Sequence, residues 1–136
     1  MRISAYLTFA GNCLEAMQFY QKCLGGELVI QTIGESPFSD KMPRQMRASI
    51  LHCTLTNHNL ILMGSDIVTE DGHRSGNTIS LMLDCSSEDE IRECYAKLST
   101  GSIKSHPLEE TFWGALFGDL EDKFGNHWLF HCQECK

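Results

Sequence analysis

The chain has 136 residues, which bounds it to one domain or two very small ones. The types AVILMFWYC make up 42% and charged residues 21%, the composition of an ordinary globular protein, and no apolar run reaches the roughly 18 residues that cross a bilayer. Eleven Lys and Arg stand against 18 Asp and Glu, a net charge of −7 that repels phosphate backbones; neither nucleic acid nor a membrane is expected as a partner, and Lys41, Arg44 and Arg47 read as a solvated loop.

The opening stretch alternates over a few residues and carries no apolar h-region or cleavage site, so no secretory leader is expected. Seven cysteines are an odd number, which argues against a full disulfide framework and for a reducing cytoplasm. Most of them are expected to pack as small hydrophobes. Cys132-Gln-Glu-Cys135 is a single CxxC near the end of the sequence, without a second pair at zinc-site spacing, and reads as a frayed tail.

The first strand is expected over Ile3–Ala10. Asn12 follows as a helix N-cap, with Glu15 three positions on, where it can reach back. Cys13, Ala16, Met17, Tyr20 and Leu24 then fall at the spacing of one buried helix face, and Gly25-Gly26 stops the helix. Three strand-like runs follow: Glu27–Gly34, Arg47–Thr56 and Asn59–Gly64. Between the first two, Glu35–Met46 carries Pro37, Phe38 and Pro43 and reads as a mobile lid.

The same order recurs about 75 residues later. Thr78–Asp84 reads as a strand, Ser87 and Glu90 as the cap and its partner, and Ile91, Cys94, Tyr95 and Leu98 as the buried helix face. Gly101 closes that helix, and strands are expected over Ser102–Pro107, Phe112–Leu120 and His127–Cys132. The reading is α+β, two βαβββ modules of about 1–66 and 76–136 joined by a linker at 67–75. One helix and one four-stranded sheet need a second layer, so the two sheets are expected to curve around a shared cleft.

The residues that carry a family resemblance run through nearly the whole chain. They are Tyr6-Leu7-Thr8-Phe9, Gly11-Asn12, Glu15-Ala16, Phe19-Tyr20 and Gly25-Gly26-Glu27, then His52 and Met63-Gly64-Ser65-Asp66. In the second half they are Gly76-Asn77, Ser80-Leu81, Thr111-Phe112-Trp113-Gly114, Phe117-Gly118, Asp122-Lys123-Phe124-Gly125 and Trp128. The sequence resembles the glyoxalase, bleomycin-resistance and extradiol-dioxygenase superfamily, the vicinal oxygen chelate fold. It is most similar to the PhnB-like branch, whose members are described as resembling a demethylubiquinone methyltransferase. The resemblance implies paired βαβββ modules and a homodimer. In the metal-dependent members it also implies ligands from the first and last strands of each module, around a divalent ion that polarises neighbouring substrate oxygens.

Carried over position by position, the metal pattern falls on Ala5, on Thr78 or Ser80, on Leu129, and near His52 to Thr54. Only His52 is a strong ligand, so the usual metal centre is not expected, and no cofactor is. A rearranged site of His52, His127 and His131 is the alternative, since His127, Leu129 and His131 share one strand face. That alternative would make the chain a metal-dependent lyase, isomerase or dioxygenase; whether it is an enzyme stays open.

Phe112, Trp113, Phe117, Phe124 and Trp128 make the second half aromatic. Trp113 beside Gly114 reads as a pocket wall, Phe124 and Trp128 as core. Of Glu109-Glu110 at most one faces a cleft, because strand neighbours point oppositely. Asp122–Asn126 reads as a turn into the last strand, and His58 and His73 as solvated. No P-loop, GxGxxG, GxSxG or HExxH stands in the sequence. The expected function is a metal-independent small-molecule-binding protein, its ligand apolar or aromatic and held by His52, Met63, Phe112 and Trp113.

Overall fold

The computed structural model describes residues 1–37, 39–41, 44, 47–66 and 72–133. The chain divides into two compact units, Met1–Arg74 and Ser75–Lys136. The fold is α+β, and each unit has the βαβββ order of a glyoxalase-like fold. No helix among the described residues is long and apolar enough to cross a membrane.

In the first unit β1 (Ala5–Thr8) leads into α1 (Cys13–Leu24), then β2 (Glu27–Thr32), β3 (Ile50–Asn57) and β4 (Leu60–Ser65). The sheet order is β1-β4-β3-β2, with β1 and β4 parallel and the other pairs antiparallel. A parallel pair needs a crossover, and α1 begins that crossover and covers one face of the sheet. Cys13, Ala16, Met17, Tyr20 and Cys23 are its buried residues. They sit over Cys53, Leu55, Leu62 and Gly64, which alternate out of β3 and β4. Gly64 fits closely there: a Cβ would stand 3.2 Å from Phe9 Cε2 and 3.4 Å from Cys13 Sγ, so those side chains would have to give way slightly.

The α1 cap differs from the expectation. Asn12 makes no side-chain cap bond. Asp66, just past β4, does the work instead. Its Oδ1 accepts from Gly11 N and Cys13 N at 3.0 Å each, and its Oδ2 accepts from Ile50 N at 2.9 Å. A carboxylate at a helix N-terminus satisfies free N–H groups and complements the helix dipole. One side chain therefore pins the start of α1 to the start of β3.

The second unit repeats the plan with β5 (Leu81–Asp84), α2 (Glu88–Leu98), β6 (Lys104–Glu110), β7 (Leu116–Glu121) and β8 (His127–Cys132), ordered β5-β8-β7-β6. The expected cap is present: Ser87 Oγ accepts from Glu90 N at 3.1 Å, while Glu90 Oε1 accepts from Ser86 N at 3.1 Å. Ile91 and Leu98 are buried, and the Tyr95 and Phe130 rings meet edge-on at 5.1 Å. Before β8 the expected turn is held by Asp122. Its Oδ1 accepts from Phe124 N and Asn126 N at 2.9 and 3.0 Å, and its Oδ2 from Trp128 Nε1 at 2.8 Å. Both Asp122 and Trp128 are buried.

The strand expected over Phe112–Leu120 begins later than expected. Residues 111–115 form a turn in which Gly114 has φ +89° and Thr111 Oγ1 accepts from Ala115 N, so β7 starts at Leu116. Of the cysteines, Cys13, Cys23, Cys53 and Cys85 are buried free thiols and Cys94 is half-buried. Cys132 ends β8, as expected, and is disulfide-bonded. Cys135 and most of the expected Glu35–Met46 lid, including Phe38 and Pro43, lie outside the described residues.

Three substitutions test these features. Asp122→Ala strands the buried Trp128 Nε1 and two part-buried backbone donors and is expected to cost about 3 kcal/mol, read from the urea midpoint at unchanged m-value. Gly26 has φ +102° and stands against Thr56 O and Asn57. Gly26→Ala is expected to lower stability by about 2 kcal/mol or more, while Gly72→Ala, with open space around it, costs about 1 kcal/mol from its backbone alone.

Candidate functional site

Strand alternation gives each sheet one face under its helix and one open face. On the first sheet, Tyr6 pairs with Met63 and Thr54 with Met63, while Gln31 pairs with His52. Since Cys53 and Gly64 face the helix, these residues share the open side. His52 is gripped at both ring nitrogens: Tyr6 Oη lies 3.3 Å from Nδ1 and Thr54 Oγ1 3.1 Å from Nε2. The Tyr6 and His52 rings are 5.7 Å apart. A neutral imidazole donates through one nitrogen and accepts through the other, so one hydroxyl gives a proton and the other takes one. The result is a fixed imidazole beside Met63.

The open face of the second sheet is a charged grid. Lys104, Glu121 and His127 form one row across β6, β7 and β8, and His106, Asp119 and Leu129 form the next. Phe117, His131 and Asp84 form a third across β7, β8 and β5. Each histidine has a carboxylate beside it. His106 Nδ1 donates to Asp119 Oδ1 at 2.7 Å and His131 Nδ1 to Asp84 Oδ1 at 3.0 Å, while His127 Nε2 stands 3.9 Å from Glu121 Oε1. An ionised carboxylate only accepts, so in the two closer pairs Nδ1 carries a proton and is the donor. Over this face lies a cavity of about 690 Å³, lined by Lys104, His106, Asp119, Glu121 and His127 and by Ser75, Gly76, Asn77 and Ser80.

The whole chain matches known proteins of this architecture. A family model described as 3-demethylubiquinone-9 3-methyltransferase matches residues 1–130. The chain belongs to that PhnB-like family. It is 32% identical to Protein YjdN of Escherichia coli (strain K12), over 96% of this chain and 95% of that protein. The structure of protein PA1353 from Pseudomonas aeruginosa is 33% identical with a TM-score of 0.86, covering 100% of this chain and 99% of the other. A putative 3-demethylubiquinone-9 3-methyltransferase, the PhnB protein from Bacillus cereus, is 26% identical with a TM-score of 0.74, covering 97% and 99%. A glyoxalase/bleomycin resistance protein/dioxygenase from Nocardioides shares the fold, at 19% identity and a TM-score of 0.55 over 97% of this chain and 83% of the other. That likeness shows a shared fold.

The PhnB-like chain departs from the metal-dependent pattern in its donor set. The paired open-face positions of first and last strands are Tyr6 with Met63 and Thr8 with Ser65 in one unit, and Met82 with Leu129 and Asp84 with His131 in the other. Only the Asp84–His131 pair offers a carboxylate and an imidazole, and the phenol, thioethers, alkyl group and neutral hydroxyls at the other positions do not complete the shell that a divalent ion takes in such sites. The structure also corrects two carried-over positions. Ala5 is paired with Leu62 on the helix-covered face, so Tyr6 holds the open position. The last strand of the first unit is β4, so its open position is Met63, and His52 stands one strand over on β3. No group of three or more His, Cys, Asp or Glu able to hold a metal occurs among the described residues.

Of the expected ligand residues, His52 and Met63 share the first unit's open face. Phe112 and Trp113 belong to the second unit, on the 111–115 turn, where their rings meet edge-on at 4.8 Å. They are 98% and 52% exposed and do not line the described cavity. Of the alternative metal residues, His127 and His131 stand on the second sheet, each beside a carboxylate, and His52 belongs to the first unit. Sequence reasoning missed Lys104, His106, Asp119 and Glu121. The period-two pattern of β7, Leu-Phe-Gly-Asp-Leu-Glu, already put Asp119 and Glu121 on one face.

Two measurements check this geometry. Equimolar zinc or nickel is expected to leave the thermal midpoint of the untagged chain unchanged. Tyr6→Phe removes one partner of a half-buried imidazole; we expect a shifted His52 ring resonance and a stability loss of about 1 kcal/mol.

Proposed function

We propose that the chain is a small-molecule-binding protein of the PhnB-like family that works without the usual divalent metal centre, and that its ligand occupies the cavity over the second sheet. The observation that carries this reading is the lining itself. Lys104 offers a cation, Asp119 and Glu121 offer acceptors, and Ser75, Asn77 and Ser80 offer short hydrogen-bonding groups around about 690 Å³, a volume within the range of small-molecule sites. Such walls suit a polar ligand with one anionic group for Lys104 and hydroxyl or amino donors for the carboxylates. This shifts the ligand class from the apolar or aromatic compound that His52, Met63, Phe112 and Trp113 suggested. The methyl-transfer wording of the family description is not part of the reading, because no Gly-rich strand–helix turn for a methyl donor stands in the sequence.

A homodimer belongs to the same proposal. Tyr6, Val29 and Met82 are exposed on the open sheet faces, and apolar surface of that kind favours a covering layer. Sedimentation at micromolar concentration is expected to give twice the chain mass.

The test is a thermal-shift screen of small carboxylates, sugar acids and amino acids, run beside a matched set of uncharged aromatics. A polar compound at 100 times its Kd raises stability by about 2.7 kcal/mol. Lys104→Ala and Glu121→Gln are expected to weaken that compound at least about ten-fold, the size of one charge-assisted contact, while the unliganded midpoint stays put. Stabilisation by the aromatics alone, unaffected by either substitution, defeats this assignment.

A further inference from the structure

We propose that Cys13 and Cys53 form a redox-active thiol pair that a peroxide closes to a disulfide within the folded first unit, and that closure disturbs the Tyr6–His52–Thr54 network on the opposite face of β3. The two sulfurs lie 3.5 Å apart, one at the first turn of α1 and the other in the centre of β3. Both residues are buried, at 0% and 1% exposure. A disulfide brings sulfurs to about 2 Å, so closure needs a small approach of helix and strand, with no refolding.

The hydrogen bonds assign the roles. Cys53 Sγ donates to Gly64 O at 3.4 Å, which leaves Cys13 as the donor in the sulfur–sulfur contact. The Cys13 bond holds the Cys53 thiol below its usual value, while the same bond, with burial, pushes Cys13 well above. Cys53 is therefore the nucleophile and Cys13 the resolving thiol. The Cys53 sulfur attacks one peroxide oxygen; an S–O bond forms, the O–O bond breaks, and the departing hydroxide takes the Cys53 proton and leaves as water. The Cys13 sulfur then attacks the Cys53 sulfur; the S–S bond forms, the S–O bond breaks, and the hydroxyl leaves as a second water with the Cys13 proton. The thiols lose two electrons and the peroxide gains them. Hydrogen peroxide is close to water in size and enters when the first turn of α1 opens locally.

The consequence lies on the other face. Cys53 stands between His52 and Thr54, whose side chains meet at 3.1 Å across it. Drawing Cys53 toward α1 moves the backbone between them. Asp66 resists by holding Cys13 N and Ile50 N together, so the shift is concentrated in β3.

The full reduced chain is treated with excess hydrogen peroxide, alkylated in denaturant, digested without reductant and mapped by mass spectrometry. The expected result is a linked Cys13–Cys53 peptide, two hydrogen atoms lighter than the thiol pair, and loss of Cys13 alkylation in most molecules. The map separates this link from any between Cys85 and Cys94 and needs no variant. Full alkylation of Cys13 with Cys53 as thiol or sulfinic acid, or links through other cysteines alone, overturns the pair. The His52 ring resonances are followed in parallel. They are expected to shift on oxidation of the wild type and to hold in Cys53→Ser after the same treatment. A linked pair with unmoved His52 resonances overturns the coupling.

Discussion

The parallel pairing of first and last strands, β1 with β4 and β5 with β8, is the constraint from which the rest of each unit follows. A parallel neighbour cannot be reached by a tight turn, so the chain must leave the sheet and return across it. The helix that opens this crossover covers one face and leaves the other bare. Each strand residue is then committed by parity alone. Odd and even positions meet different worlds: Cys53 meets a helix, while His52 and Thr54 on either side of it meet the open face.

The two open faces use the same frame for different chemistry. In the first unit the face is mainly neutral, with an imidazole fixed between two hydroxyls and thioether and aliphatic neighbours. In the second it is a lattice of paired charges, Lys104 beside Glu121, His106 beside Asp119 and His131 beside Asp84. Such pairs add little to stability when exposed. What they do is orient: each closer carboxylate accepts from an Nδ1–H and so fixes the direction of its imidazole ring. In a chain of net charge −7, Lys104 among these carboxylates is a local positive charge against an overall negative field.

Much of the fold was legible because hydrophobic spacing and caps act locally. The α1 face, Ser87 with Glu90, and the His127–Cys132 strand all follow from residues within a turn or two of each other. What was not legible depended on distant partners. Asn12 has the right chemistry for a cap, yet Asp66, more than fifty residues away, satisfies the same N–H groups. Phe112 and Trp113 have strand propensity, but Thr111 bonding to Ala115 and the positive φ of Gly114 bend them into a turn. The site suffered most from parity. Assigning Ala5 instead of Tyr6 is an error of one residue, and in a strand one residue is the difference between the two faces. The charged groups of the second unit were visible one by one; their grouping needed the register of three strands.

The cysteines show how the covered face limits chemistry as much as the open face invites it. A free thiol in a core acts as a small hydrophobe while alone. Two thiols in contact differ, because each changes the proton affinity of the other: Cys85 is pushed up by its bond with Cys94 just as Cys13 is by Cys53. Burial slows the approach of an oxidant but also holds the sulfurs together. Reactivity then depends on how often the surrounding turn opens, a property of α1 and its Asp66 anchor, and less on the sulfur itself. The Asp66 carboxylate that fixes the helix start bonds the backbone of Cys13, one member of the thiol pair, so the anchoring of α1 and the placing of that pair are one feature of the first unit.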